Sequence, residues 1–281
     1  MLSDDTAALV VAHPGHEVRV HGWLEREKPL VFVLTDGAGL EGEPRIDSTA
    51  EYLKRFGLKS GRVFARFTDT EVYRLVIARD FDPFLRLSEE LAESFVEARV
   101  GRVAGDAAEG YTPSHDVVRL VTNAAVAVAS RASGRPIANY DFTLVGRPDH
   151  CPEHLRAEAL WLRLDEGEFT RKMAAAFEFH PEVAAETREM LEGGGDKVVV
   201  DYFKLGEDEH AATELSGLDV FRVECLRPVR EGAGRFDAER PFYERRGEEK
   251  SVLGLYDRVI RYCEHMRPLA DALAEHAARS A

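Results

Sequence analysis

The chain has 281 residues, enough for one large α/β domain or for one domain with an extension, and 44% of them are apolar, so a sizeable core is available. Asp and Glu number 51 against 37 Lys and Arg, for a net charge of -14. That balance argues against nucleic acid as a partner, since such affinity comes from clustered Lys and Arg, and against docking on an anionic membrane. No apolar stretch is long enough to span a bilayer. The start, Met1-Leu2-Ser3-Asp4-Asp5, has no basic region before an apolar one, so no signal peptide is expected. Cys151, Cys225 and Cys263 are odd in number and widely spaced, which is no disulfide framework and points to a reducing cytoplasm.

Along the first half, strand and helix signals alternate. The run Ala7 to Ala12 reads as a buried strand over Leu9 to Ala12. A helix from Glu17 to Glu27 follows, then a strand over Leu30 to Leu34 that ends in the small-residue loop Thr35-Asp36-Gly37-Ala38-Gly39. Arg45 to Phe56 reads as a helix stopped by Gly57. Val63 to Phe67 is a third strand, Phe84 to Ala98 a long helix, and Gly101 to Ala104 a fourth strand. After the polar loop Gly105 to Ser114, Val117 to Ala132 is a strongly apolar helix and Asn139 to Val145 a fifth strand. This alternation predicts an α/β fold: a mostly parallel, Rossmann-like sheet with helices on both faces.

The second half is less regular. Strands are expected at Trp161 to Leu164, Lys197 to Phe203 and Val220 to Leu226. Helices are expected at Glu168 to Phe177 and at Glu182 to Leu191, the latter ended by Gly193-Gly194-Gly195. Arg230 to Arg246 reads as a charged linker or lid. Leu253 to Ala278 reads as one amphipathic helix interrupted near Pro268. The chain thus divides into an α/β domain over residues 1–229 and an extension over 230–281. The extension's helix should dock on the core of its own chain or build a homo-oligomer interface.

The chemistry concentrates in His13-Pro14-Gly15-His16-Glu17, directly behind the first strand. In open α/β sheets this edge is where ligands bind. Two histidines three apart on such a turn can face one metal ion, and a third ligand should come from another strand end. His115 opens the helix after the fourth strand, which in doubly wound topology lies beside the first. His13, His16 and His115 are therefore the expected ligands of zinc or another divalent transition metal. A lone histidine at a strand end is more often a hydrogen-bonding residue; the pairing and the facing position raise the metal reading. His150, Cys151 and His154 form a rival cluster, read as a surface loop. Asp36, Asp106, Glu109 and Asp116 are candidates for a catalytic base or for orienting the histidines, with Asp116 and Asp36 the two taken as catalytic. There is no Gly-x-Ser-x-Gly elbow and no phosphate-binding Gly-Lys-Ser/Thr loop.

Ala12-His13-Pro14-Gly15-His16-Glu17 and Thr112-Pro113-Ser114-His115 resemble the two motifs of the PIG-L/LmbE-type metal-dependent N-deacetylases, Ala-His-Pro-Asp-Asp-Glu and His-Pro-Asp-His. Softer echoes are Thr35-Asp36-Gly37, Arg45, Leu164-Asp165 with Lys172 and Ala176, and Val220-Phe221-Arg222, so the resemblance covers residues 7 to 226. It implies a Rossmann-like fold, a divalent metal and hydrolysis of the amide of an N-acetylated, amino-sugar-like small molecule. It also implies that Arg45 contacts substrate.

The departures are specific. Gly15 stands where the family has its general base, His16 where it has a metal-binding aspartate, and Thr112 where it has an assisting histidine. A neutral histidine in place of an aspartate leaves the metal more positive, and a three-histidine zinc brings its water to a pKa of about 7. On this reading Gly15→Asp should restore a base and raise the rate. Two alternatives remain: a metal- or ligand-binding protein of this fold that does not hydrolyse amides, and a different metal chemistry, since three histidines also suit iron or copper.

Overall fold

The computed structural model describes residues 5–39, 42–181, 184–185, 210–230, 236 and 240–280. Five parallel strands build most of a seven-stranded sheet: β1 (Thr6–Val11), β2 (Leu30–Thr35), β3 (Lys59–Phe67), β4 (Val100–Asp106) and β5 (Ala138–Phe142). Two more extend it, β6 (Leu160–Arg163) and β7 (Val223–Pro228), with β7 antiparallel to both β5 and β6. The spatial order is β3-β2-β1-β4-β5-β7-β6. The fourth strand lies beside the first, as expected. The chain moves outward from β1 through β2 to β3, then returns to the other side of β1 at β4. The carboxyl ends of β1 and β4 therefore flank the point where strand order reverses.

The buried runs in β1 and β2 follow from helices on both faces. Ala8, Val10, Phe32 and Leu34 face one apolar cluster, and Leu9, Val11, Val31 and Val33 face the other. The first layer is α3 (Asp69–Ala78), α4 (Asp82–Glu97) and α5 (Pro113–Ser133); the second is α1 (His21–Glu27), α2 (Ile46–Arg55) and α6 (Glu166–Phe179). Before α1 the chain makes a 3-10 turn over His16–Val20, so the expected helix from Glu17 is regular only from His21.

Three further expectations change. Helix α3 was not expected, although Thr68 and Glu71 form a capping box that a sequence can show. Val220 to Leu226 is not one strand: Gly217–Arg222 is a 3-10 turn, and the strand starts at Val223. The helix expected over Leu253 to Ala278 is helical only from Tyr262 onward, and a separate helix stands before it. That separate helix, α7 (Phe242–Val252), ends before the expected start, and Leu253 and Leu255 stand 70% and 61% exposed, outside any apolar face. The chain then makes a π-helical turn over Tyr262–Met266 and enters α8 (Arg267–Arg279). Pro268 sits in the first turn of α8, where proline starts a helix and does not break one.

Ile260, Tyr262, Met266, Leu269, Ala270, Leu273 and Ala277 are buried in the same cluster as α4 and α5, so this apolar face docks on its own chain. The segment expected as linker or lid already contains the start of α7. The strand expected over 197–203 and the glycines at 193–195 lie outside the described residues, as does all but 184–185 of the helix expected over 182–191.

Candidate metal centre

His13 and His16 leave the carboxyl end of β1, and His115 sits in the first turn of α5 behind β4. Pro113 at the start of α5 fixes the backbone for helix entry and aims that turn. The three imidazoles meet. Ring centroids lie 5.1 Å apart for His13–His16, 5.1 Å for His13–His115 and 4.7 Å for His16–His115. A tetrahedral ion with Zn–N bonds of about 2.0–2.1 Å places imidazole centroids roughly 5 Å apart. Among the described residues, no group of three or more His, Cys, Asp or Glu side chains is placed so that it could hold a metal ion as it stands. The spacing of the ring centroids alone matches such an ion.

The ring nitrogens show which lone pairs are available. The Thr35 hydroxyl donates to the Ala12 carbonyl at 3.1 Å, so toward His13 Nδ1, at 2.7 Å, it can only accept. Asp69 Oδ1 lies 3.0 Å from the same Nδ1. This network assigns the proton of His13 to Nδ1 and leaves Nε2 as a bare lone pair. His16 Nδ1 lies 2.8 Å from Asp106 Oδ2, which also accepts the Ala12 amide at 2.7 Å. Carboxylates in this position orient metal-binding histidines and fix their tautomer. His115 Nδ1 is buried with no hydrogen-bond partner, an orphaned polar atom that a metal would satisfy.

Charge agrees with this donor set. Burial, with the neighbouring His13, pushes His16 well below the ordinary histidine range, and burial with the other two imidazoles does the same to His115. Both rings are thus neutral, as a metal ligand must be. Burial lifts the Asp106 carboxyl to about 6. Burial would also lift Asp69, but His13 and the Gly39 amide hold it below the usual carboxylate range.

The remaining candidates act on loops. Asp116 Oδ1 accepts the Gly110 amide at 3.1 Å, and burial raises its carboxyl well above the ordinary range. Asp36 Oδ1 accepts the amide of Ala38 within its own turn. Glu109 Oε2 accepts the amides of Leu144 and Val145. Arg45 is half-buried, donates through Nε to the Gly37 carbonyl at 2.9 Å, and is close enough to depress His16. The rival cluster does not assemble: Cys151 is buried beside Cys225, the His150 ring packs edge-on against His210, and His154 is exposed.

Three supporting residues were not read from the sequence. Asp69 belongs to the unexpected α3. Glu17 is fully buried; its carboxylate accepts the Gly15 amide, the Thr49 hydroxyl and His180 Nε2 at 2.8 to 2.9 Å. It ties the histidine turn to α2 and to the end of α6, and His180 holds its carboxyl low despite burial. No local signal marks His180, because its contact crosses the chain.

Gly15 corrects the expected rescue. Its backbone stands at φ 102°, ψ −22°, a region that side-chain-bearing residues rarely adopt. Gly15→Asp must strain this turn or rebuild it, at a cost of about 1–3 kcal/mol. The expected outcome is a lower denaturant midpoint and no gain in rate. A faster enzyme of unchanged stability would show that the turn accommodates aspartate.

A cavity of about 160 Å³ opens beside His16 and His115. On its wall the buried Lys172 donates to Glu224 Oε1 at 2.8 Å and to the Arg19 carbonyl at 2.7 Å. Glu224 also accepts the amides of Gly22 and Trp23. Glu224→Ala would leave a buried ammonium without its counter-charge and should cost about 3–5 kcal/mol, read by urea unfolding. A loss under about 1 kcal/mol would show that water reaches Lys172.

No family model matches the chain, and no curated protein matches its sequence. Among solved structures, the A40926 pseudoaglycone deacetylase Dbv21 is 17% identical, with a TM-score of 0.45 over 83% of this chain and 99% of that one. The conserved protein TT1542 from Thermus thermophilus is also 17% identical, with a TM-score of 0.48 over 80% and 94%. The zinc-inhibited form of teicoplanin deacetylase Orf2 is 13% identical, with a TM-score of 0.41 over 81% and 99%. Likeness at this level assigns no function, so the function rests on the residues of the site.

Proposed function

We propose that this chain is a metal-dependent hydrolase of a C–N amide bond, an N-deacetylase of an amino-sugar-like or related small molecule. The observation that carries the reading is the meeting of His13, His16 and His115 at 4.7 to 5.1 Å, at the strand ends where the sheet order reverses. These three rings hold zinc or another divalent transition metal. When bound, such an ion supplies Lewis-acid polarisation of the amide carbonyl. Thr35, Asp69 and Asp106 orient the rings, Arg45 binds substrate from the β2 loop, Asp36 is the candidate base, and Asp116, whose carboxyl burial raises, is the candidate acid. The three cysteines are all unpaired, which suits the cytoplasm. No helix among the described residues is long and apolar enough to cross a membrane.

The test is turnover of a panel of N-acylated amines and amino sugars, before and after chelation. Amine release that chelator abolishes and zinc restores supports the reading; no release from any member by the zinc-loaded protein overturns it. A second reading, a metal-binding protein that does not hydrolyse amides, is favoured by one feature: a backbone at Gly15, φ 102°, that strains the family's base at this position. Tight metal binding with no turnover across the panel would support it.

A further inference from the structure

The cavity beside His16 and His115 is lined by Val18, Leu144, Val145, Met173, Ala176 and Phe221, together with Arg19, Lys172 and His180. The polar ends of these last three are engaged elsewhere. The Arg19 guanidinium donates to the carbonyls of Thr143 and Gly146 and lies 4.9 Å from the Phe221 ring centroid. Lys172 Nζ is held by Glu224 and the Arg19 carbonyl, and His180 Nε2 by Glu17. With their head groups so engaged, Arg19 and Lys172 add the carbon of their stems to the lining, as long amphipathic side chains do. A ligand entering here meets imidazole at His16 and His115 and hydrocarbon along much of the remaining wall. A sugar ring, which presents hydroxyls on every side, would leave them unpaired against such a wall.

We propose that this cavity takes the acyl side of the scissile amide, and that the acyl group is an apolar chain longer than acetyl. This rests on the amide-hydrolase reading and adds its substrate class: N-acyl compounds with a hydrocarbon tail, the polar amine portion lying outside the cavity. A buried methylene adds about fourfold to affinity.

The test titrates acetate, butanoate, hexanoate and octanoate, the carboxylates such amides release, into the full-length zinc-supplied protein by calorimetry. The matching N-acyl glucosamines are assayed for amine release in parallel. Affinity is expected to rise roughly fourfold per methylene until the cavity is full. Ala176→Trp, which fills the cavity from α6, and Val145→Phe, which fills it from the loop after β5, should each flatten the series. A flat series in the wild type overturns the inference, and the hydrolase reading survives if N-acetyl substrate is still cleaved. A rising series that both variants flatten, with no amide cleaved, keeps the apolar-tail site and overturns amide hydrolysis.

Discussion

Removing residues 231–281 is expected to leave no cooperatively folded protein. The deleted part carries Phe242, Tyr243, Ile260, Tyr262, Met266, Leu269 and Leu273, each less than a tenth exposed. Burying a side chain of this size contributes about 1.5–3 kcal/mol. Seven of them come to roughly 10–20 kcal/mol, comparable with or above the about 5–15 kcal/mol by which an ordinary domain is stable. The deletion would also strip α4 and α5 of their cover and free the loop that presents His115. Tyr243 donates its amide to the Gly110 carbonyl at 3.0 Å, and Phe242 stacks on Tyr111 with ring centroids 5.5 Å apart. Near-ultraviolet dichroism and gel filtration read the outcome: lost tertiary signal, with dye binding or aggregation. A truncated chain that stays monomeric and unfolds at the same midpoint would mean that these helices contribute nothing to the core.

Alanine at His13, His16 or His115 is expected to reduce metal affinity by more than about 100-fold in each case. Losing an orienting partner of a metal ligand already costs about 10–100-fold, and that lesser range is expected for Asp106→Asn and Asp69→Asn. The grading separates ligands from orienting residues. Competition titration with a zinc-sensing dye measures it, with dichroism confirming that each variant folds. Equal losses at the histidines and the aspartates would deny the division. No loss at any histidine would place the ion elsewhere.

Part of this site was legible because its signals are local. The apolar runs of β1, β2 and β4 come from strands covered on both faces, and small residues with a histidine pair mark the turn behind β1. The adjacency of β1 and β4 then follows from doubly wound topology, and with it the facing of His115 to His13 and His16. Asp106 was among the carboxylates expected to orient a ring, and it does contact His16.

What stayed hidden depends on long-range contact or on backbone angle. The packing of His180 against Glu17 joins positions far apart in sequence, and nothing near either residue announces it. Asp69 was missed for a correctable reason, since the capping box at Thr68 and Glu71 marks the helix that carries it. A letter at Gly15 reports an absent side chain but not a φ of 102°. The C-terminal region misled because Leu253 and Leu255 continue a helical spacing that Gly254, at φ 71°, breaks. Gly217–Arg222 misled because a 3-10 turn leading into an antiparallel strand carries the same apolar residues as the strand itself.

The most direct measurement is the metal content of the full chain, expressed without a metal-affinity tag, purified without chelator and analysed by inductively coupled plasma mass spectrometry. The predicted result is about one divalent transition-metal ion per chain, falling to a trace when His13, His16 and His115 are all replaced by alanine in a protein that still folds. A well-folded wild-type chain that carries no metal, and takes none up when supplied with zinc, would contradict it.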